Sequence, residues 1–123
     1  MNRFKDLKVW QASIDLATEI YNATKAYPKE ELYSLTNQTR RSAVSVSSNI
    51  AEGANRNGEK EFINFLSIAS GSGDELQTQL IIANKLKFLD DDSCDALISK
   101  IDYTQNMNYK LKESLKQKTA SKL

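Results

Sequence analysis

The sequence predicts an all-α protein, folded as an antiparallel up-down-up-down four-helix bundle, on three observations. Apolar residues recur at alternating steps of three and four along four segments, which is the spacing of one helix face. Only four glycines and one proline occur in 123 residues, so connections are few. They are also short, and short connections make successive helices antiparallel neighbours. The length suits a single domain, residues 1–123, with a polar tail from about residue 117.

The first helix has a wide apolar face made of two adjacent stripes. The first stripe contains Leu7, Trp10, Ile14, Ala17, Tyr21 and Thr24, and the second contains Val9, Leu16, Ile20 and Tyr27. We expect Trp10 to be a core residue rather than a stacking platform. Pro28 ends this helix, because the residue before a proline is biased away from helical geometry.

The second helix is predicted to begin near Lys29–Glu31, where acidic residues suit a positive helix end. Its stripe runs through Leu32, Leu35, Thr39, Ser42 or Ala43, Val46, Asn49 or Ile50, and ends at Gly53. Residues 53–58, "GANRNG", are predicted to form the next loop. Gly53 and Asn55 are able to take left-handed conformations there.

The third helix has the most regular pattern and is predicted to be the most buried. Its stripe contains Phe62, Leu66, Ala69, Gly73, Leu76, Leu80 and Ala83, with a flanking apolar row of Phe65, Ile68, Ile82 and Leu86. We expect it to end near Phe88 and Leu89.

The fourth helix begins after "DDDS" at residues 90–93, which supplies N-cap candidates. Its stripe contains Cys94, Leu97, Ile101, Thr104, Met107 or Asn108, Leu111 and Leu115. The last eight residues, "KQKTASKL", are predicted to fray.

Small residues interrupt the second and third helices near their midpoints. "SVSS" in the second faces "SIASGSGDE", residues 67–75, in the third if the two are antiparallel. A glycine inside a helix makes the helix about 1 kcal/mol less stable than an alanine would. A packing interaction should therefore compensate for Gly71 and Gly73. Close approach of the two helix backbones provides one. We therefore interpret these residues as a packing seam rather than a ligand pocket.

The candidate contact residues are charged or amide side chains on the second helix and at one bundle end. They are Arg40, Arg41, Asn49, Glu52, Arg56, Glu75, Lys110, Lys112 and Lys116. The arginines pair with Glu52 or Glu75, within or between chains, or else they contact phosphate, since the guanidinium fork suits both. The outward face of Arg41, Val44, Ser48, Ala51 and Asn55 suits a protein neighbour.

The predicted topology separates charge along the bundle, although the net charge is only +1. The end formed by the start of the first helix, the second loop and the end of the fourth helix carries ten basic and five acidic residues, a net charge of +5. Its basic residues are Arg3, Lys5, Lys8, Arg56, Lys60, Lys110, Lys112, Lys116, Lys118 and Lys122. The opposite end carries four basic and six acidic residues, a net charge of −2. This basic end is either a solvated face or a nucleic-acid contact.

The absence of histidine disfavours catalysis, because histidine is the commonest general base and the partner of most serine or cysteine nucleophiles. Glu52 and Glu75 alone do not make an active site, and we expect no enzyme activity, cofactor, metal or small-molecule substrate. The lone Cys94 suits the cytosol and a buried position. No secretion signal or membrane span is apparent in the sequence.

Several motifs together resemble a known family. "NIAEG" at residues 49–53 follows "QTRRSAVSVSS" and precedes "EFINFLSIASGSGDELQTQL", and the opening "FKDLKVWQASIDLATEIY" leads to "YPKEELYSLTNQTRR". These segments resemble the four-helix-bundle proteins of the 23S rRNA intervening-sequence type. The matching positions are Gln38, Arg40, Arg41, Asn49, Glu52, Gly53, Gly71, Ser72, Glu75 and Leu76. Ser70 and Gly73 depart from the pattern, where relatives often carry an arginine and a larger apolar residue.

The resemblance implies a cytoplasmic bacterial protein that assembles into a ring, of which a pentamer is the best-known form. Members are encoded in insertions within large-subunit rRNA genes, and a related branch binds RNA and a reverse transcriptase as a retroelement accessory protein. Two hypotheses follow: a homo-oligomeric bundle with no enzyme activity, or an RNA-binding module that uses the basic end and Arg40, Arg41 or Arg56.

Overall fold

A computed structural model describes residues 4–121, which form four α-helices as the sequence predicts. The helices are α1 (Lys8–Thr24), α2 (Asn37–Ala54), α3 (Glu59–Lys85) and α4 (Asp91–Ser121). A 3₁₀ turn at Phe4–Asp6 precedes α1. Arg3 and Lys122, both assigned to the basic end, lie outside the described residues.

Contacts between the helices establish the antiparallel bundle. α1 and α3 each pack against α2 and α4. Along α2 and α3, Ser45 contacts Ser72 whereas Gly53 lies against Phe65, so the residue numbers run in opposite directions. Between α3 and α4, the Leu66 carbonyl accepts from Asn108 and the Leu80 carbonyl from Cys94, which again indicates opposite directions.

The core consists of two apolar clusters, one toward each end of the bundle. The cluster near the α3–α4 turn contains Leu16, Ile20, Tyr27, Leu35, Ala43, Leu76, Leu80, Ala83, Leu89, Cys94, Leu97 and Ile101. The cluster near the α2–α3 turn contains Val9, Val46, Ile50, Leu66, Ala69 and Leu115. The predicted stripes of α2, α3 and α4 supply most of these side chains. The fully buried polar residues lie among them, namely Ser13, Thr24, Thr39 and Asn108.

Only one of the two stripes on α1 is fully buried. Val9, Leu16 and Ile20 of the second stripe are at most 4% exposed, whereas Ile14 and Tyr21 of the first are 37% and 42% exposed. Trp10 is half-buried and meets Phe4 edge to face, with ring centroids 5.1 Å apart. The expectation that Trp10 is a core residue is therefore met only in part, because its ring also lies at the bundle surface.

The chain is irregular where the second helix was expected to start. Lys29–Glu31 is a 3₁₀ turn and Leu32–Thr36 a wider π-type turn, in which Ser34 leaves helical geometry at φ −125° and ψ −107°. The α-helix proper begins only at Asn37. Leu32, predicted to belong to the core stripe, is 45% exposed because this kink turns it outward.

The two residues predicted to be left-handed, Gly53 and Asn55, both take other conformations. Gly53 lies inside α2, and Asn55 has φ −92°, so neither residue is left-handed. The left-handed residue is Gly58 at φ 102°, immediately before α3. Gly53 is needed instead for close packing, since a Cβ there would lie 2.6 Å from the Cβ of Phe65.

The ends of α3 and α4 also differ from the prediction. α3 ends at Lys85, three residues early, because Lys87 takes φ 67°. The Lys87 N–H then donates to the Asn84 carbonyl and the Phe88 N–H to the Ala83 carbonyl, which is a Schellman motif. α4 continues to Ser121, so the helix includes most of the tail that is predicted to fray. Leu115 anchors this last part in the core.

Candidate interaction surfaces

Serine side chains form a polar seam between α2 and α3, as the sequence predicts. The hydroxyls of Ser45 and Ser72 lie 2.8 Å apart. The Asn49 amide donates to the carbonyl and hydroxyl oxygens of Ser45, at 2.8 and 3.0 Å. Asn49 is thus bound to its own helix. Ser47 and Ser48, which were predicted to belong to the same seam, lie instead toward α1, in the lining of a surface groove.

The two glycines of α3 do not serve the α2–α3 contact, which corrects the prediction. A Cβ at Gly73 would lie 2.4 Å from Nε2 of Gln105, a side chain of α4. That amide donates to the Ser70 carbonyl at 2.8 Å, so Gly73 makes room for an α3–α4 hydrogen bond. A Cβ at Gly71 would meet no atom within 4 Å. Nothing within the described chain explains a glycine at this position.

Two of the three candidate arginines are held by their own chain. Arg40 donates to the Thr24 hydroxyl at 2.8 Å, and its guanidinium lies 4.8 Å from the ring centre of Tyr21. Arg56 pairs with Glu52 at 2.7 Å one turn away and lies 5.0 Å from the ring centre of Phe65. These contacts tie α2 to α1 and α3, and Glu52 has its intrachain partner in Arg56.

Arg41 and Glu75 have opposite charges and no polar partner within residues 4–121. Both side chains are exposed, Arg41 on α2 and Glu75 on α3. Neither one makes a hydrogen bond or an ion pair with any described residue. Lys110 and Lys112 likewise have no ion pair within the described residues, so four of the nine candidates are available for a contact outside the chain, and Glu75 is the acidic one among them.

An open apolar groove of about 580 Å³ runs between α1 and α2 on the bundle surface. Its lining consists of Phe4, Trp10, Ile14, Ala17, Thr18, Tyr21, Val44, Ser47, Ser48 and Ala51. We call this surface the α1/α2 groove. It includes the exposed stripe of α1 and most of the outward face of α2, on which Val44 is 40% exposed.

A second apolar surface follows the outside of α3. Ile68, Ile82 and Leu86 are 52%, 43% and 53% exposed, whereas the flanking row had been expected to add to the buried face. Gly71 and Glu75 lie between them at helical spacing. We call the five residues Ile68, Gly71, Glu75, Ile82 and Leu86 the α3 ridge.

The basic end keeps a surplus of positive charge in the described chain. Without Arg3 and Lys122 it holds eight basic and five acidic residues. Two of the eight are paired, Arg56 with Glu52 and Lys116 with Glu113 at 3.3 Å. Lys110 is exposed next to Tyr109, whose side chain is 60% exposed, and Lys112 is half-buried.

The titratable groups near the α3–α4 turn have structural roles. Burial, followed by the neighbouring carboxylates Asp95 and Asp91, raises the pKa of Cys94, whose thiol donates to the Leu80 carbonyl. The Ser93 backbone N–H and hydroxyl donate to Asp90 and lower the pKa of that carboxyl, which identifies Asp90 as the N-cap of α4. Residues 4–121 contain no acidic, cysteine or histidine cluster suited to a metal ion.

The sequence did not reveal the α1/α2 groove as a surface feature. The signal that could have found it is the surplus of apolar residues on the first helix, since a four-helix core buries one stripe of each helix. Which of the two α1 stripes is buried depends on how α1 packs against α2 and α4, and the sequence alone does not show this.

In the described chain, no helix has the length and apolar content to cross a bilayer.

Comparison with known proteins agrees with the motifs. The sequence profile of the 23S rRNA-intervening sequence protein family matches residues 5–110, which include α1, α2, α3 and most of α4. A search among curated proteins finds no match. The match spans most of the chain, and the four helices fit the bundle that the motifs imply. The chain belongs to the 23S rRNA-intervening sequence protein family.

Proposed function

We propose that the protein is a homo-oligomeric scaffold without enzyme activity, whose subunits join head to tail in a cytoplasmic ring. The observation that carries this proposal is the pair of exposed apolar surfaces on each subunit. The α1/α2 groove is a contiguous apolar patch, which is uncommon on monomers and usually marks an interface. The α3 ridge adds three exposed apolar side chains on another side of the bundle. A pentamer is the subunit number that the family resemblance implies.

The two surfaces differ in shape, which favours a head-to-tail contact. The α1/α2 groove is concave and lined partly by small residues, whereas the α3 ridge is the convex side of one helix. A two-fold dimer would join a surface to its own copy, but a groove is not complementary to a groove. A contact between two different surfaces repeats from subunit to subunit and closes into a ring when the rotation permits.

Light scattering coupled to size-exclusion chromatography tests the proposal at micromolar concentration. We expect the mass of several subunits for the wild type and a smaller mass for Ile82→Lys. Ile81→Lys is the matched control, since Ile81 and Ile82 are 40% and 43% exposed but face different sides of α3. A monomeric wild-type protein would refute the proposal, as would equal dissociation of both variants.

RNA binding at the basic end is the second candidate function. It is supported by the surplus of lysines there and by exposed Tyr109, because bases stack on aromatic rings beside phosphate-binding lysines. A ring would bring several copies of this end to one face and increase avidity. Arg40 and Arg56 already have intrachain partners, and Arg41 lies toward the opposite end of the bundle, so the lysines of the basic end are the stronger candidates for phosphate contacts.

Titration of fluorescent large-subunit rRNA fragments tests this function, beginning at about 50 mM salt, where phosphate contacts are strong. We expect affinity to fall steeply with added salt and to weaken in the triple variant Lys110→Glu, Lys112→Glu, Lys116→Glu. Lys85→Glu with Lys87→Glu, at the opposite end, is the control. An absence of binding at low salt would exclude this candidate and leave the scaffold proposal intact.

A further inference from the structure

We propose that Glu75 of one subunit forms an ion pair with Arg41 of the next, and that Gly71 lets the two backbones approach closely beside it. The partner is a second copy of this chain. The inference rests on the proposed head-to-tail assembly and specifies the residues that set its register.

The first argument is charge complementarity. The α3 ridge carries one charged residue, Glu75, and the outward face of α2 beside the α1/α2 groove carries Arg41. Both side chains are exposed and neither has a polar partner within the described chain. When the ridge of one subunit enters the groove of another, opposite charges meet at the edge of an apolar contact. Such charges fix register and exclude wrong pairings.

The second argument is the height of each residue along the bundle. Ser45 and Ser72 are in contact and define a common level. At about 1.5 Å of rise per residue, Arg41 lies about 6 Å from that level. Glu75 lies about 4.5 Å from it on the same side, since α2 and α3 are antiparallel. A rotation about an axis parallel to the bundle keeps heights unchanged, so it brings Glu75 level with the next subunit's Arg41.

The same comparison places the apolar parts of the two surfaces together. Ile68 lies about 6 Å from the Ser45–Ser72 level, on the side opposite Glu75. Ser48, in the lining of the α1/α2 groove, lies about 4.5 Å from the level on that same side. Ile68 therefore arrives at the groove while Glu75 arrives at Arg41, and one register satisfies both contacts.

The third argument is Gly71, which lies between Ile68 and Glu75 on the ridge. An exposed glycine inside a helix costs about 1 kcal/mol against alanine, and space around Gly71 would admit a Cβ without contact. Gly71 is therefore unfavourable for the isolated subunit. In the assembly it lies within about 3 Å of the height of Val44 and Ser45, where a bare backbone lets α3 lie close to the neighbouring α2.

Charge reversal tests the ion pair by measured self-association. We expect Glu75→Arg and Arg41→Glu each to associate at least tenfold more weakly than the wild type, with unchanged helix content. Mixing the two variants, only one of them tagged, separates pairing between chains from pairing within one. Each contact between unlike variants then joins either the two reversed charges or the two native ones, so tagged and untagged chains should co-assemble. A ring of five keeps one contact between like variants, so the mixture should associate more strongly than either variant alone but more weakly than the wild type.

The outcomes separate this inference from the proposed function. If the wild type assembles but both single variants assemble equally well, or if the mixture stays dissociated, the ion pair is wrong and the scaffold proposal stands. If the wild type is monomeric, the scaffold proposal fails and this inference fails with it.

A substitution at Gly71 gives an independent test. We expect Gly71→Leu to raise the thermal stability of the dissociated subunit, since leucine is a better helix former, but to weaken association at least tenfold. Ser99→Leu, at an exposed position on α4, is the matched control and should leave association unchanged. If Gly71→Leu associates as strongly as the wild type, the inferred close approach of the two backbones at Gly71 is wrong.

Discussion

The phenol of Tyr27 is the most perturbed titratable group in the described chain. Its hydroxyl is buried and has no hydrogen-bond partner among residues 4–121, while its ring packs on Phe88 with centroids 5.9 Å apart. Burial, and then the neighbouring Cys94, raises the pKa of Tyr27 to about 12. A buried hydroxyl without a partner costs free energy, so the ring stabilises this end of the core and the hydroxyl does not.

We expect Tyr27→Phe to increase the free energy of unfolding by about 1 kcal/mol near neutral pH, because it removes the unpaired hydroxyl and keeps the ring. The folded-state pKa lies above the unfolded value of 10.0, so the unfolded protein loses this proton first. The wild type should therefore lose stability between about pH 10 and 12, and the variant should lose less.

Urea unfolding at neutral and alkaline pH measures both effects. Tyr33→Phe is the matched control, because Tyr33 is 91% exposed and should change neither quantity. If Tyr27→Phe is less stable than the wild type, the wild-type Tyr27 hydroxyl has a hydrogen-bond partner, such as a buried water, that stabilises the core.

At the scale of the helix, the end of α3 depends on a residue poorly suited to its conformation. Lys87 takes φ 67°, which a side chain with a Cβ adopts only at a cost. The turn is held by its backbone hydrogen bonds and by the Asn84 amide, which donates to the Leu89 carbonyl at 3.0 Å and to Asp91 at 2.8 Å.

We expect Lys87→Gly to raise the free energy of unfolding by about 1 kcal/mol, since glycine takes positive φ without strain. Lys85→Gly, inside the last turn of α3, should lower it by a similar amount. Thermal unfolding followed by circular dichroism compares the two. Equal destabilisation by both changes would contradict a left-handed Lys87.

The helices themselves follow from the sequence, but their ends do not. The three-and-four spacing specifies the buried stripe of α3 from Leu66 to Ala83 because every turn repeats it. Ends depend on single backbone torsions, and there the sequence misleads. Gly53 suggested a turn but serves close packing, whereas the true positive φ occurs at Gly58 and at Lys87. Nothing in the local residue pattern distinguishes these uses.

At the scale of the whole molecule, the candidate site is less predictable than the fold. The sequence identified Arg41 and Glu75 as charged residues, but it could not separate them from Arg40 and Arg56. That distinction depends on contacts with Thr24, Tyr21 and Glu52, which exist only in the packed bundle. The exposed apolar surfaces likewise depend on which stripe the neighbouring helices cover.

Assembly should make thermal stability depend on protein concentration, because dilution favours the dissociated and unfolded states. We expect the midpoint of unfolding to rise by about 4 °C for each tenfold increase in concentration of the wild type. Ile82→Lys should show a much smaller dependence, and Ile81→Lys should follow the wild type. A midpoint independent of concentration for all three would argue against assembly.

The irregular turn at Leu32–Thr36 has a consequence for how the chain is cut. Ser34 departs from helical geometry there and Tyr33 is almost fully exposed, so a protease needs to displace only the buried Leu35 and Thr36 to extend this segment. Chymotrypsin at low concentration should cleave first after Tyr33 and release α1 from a three-helix remainder. Mass spectrometry of the first two fragments would show it.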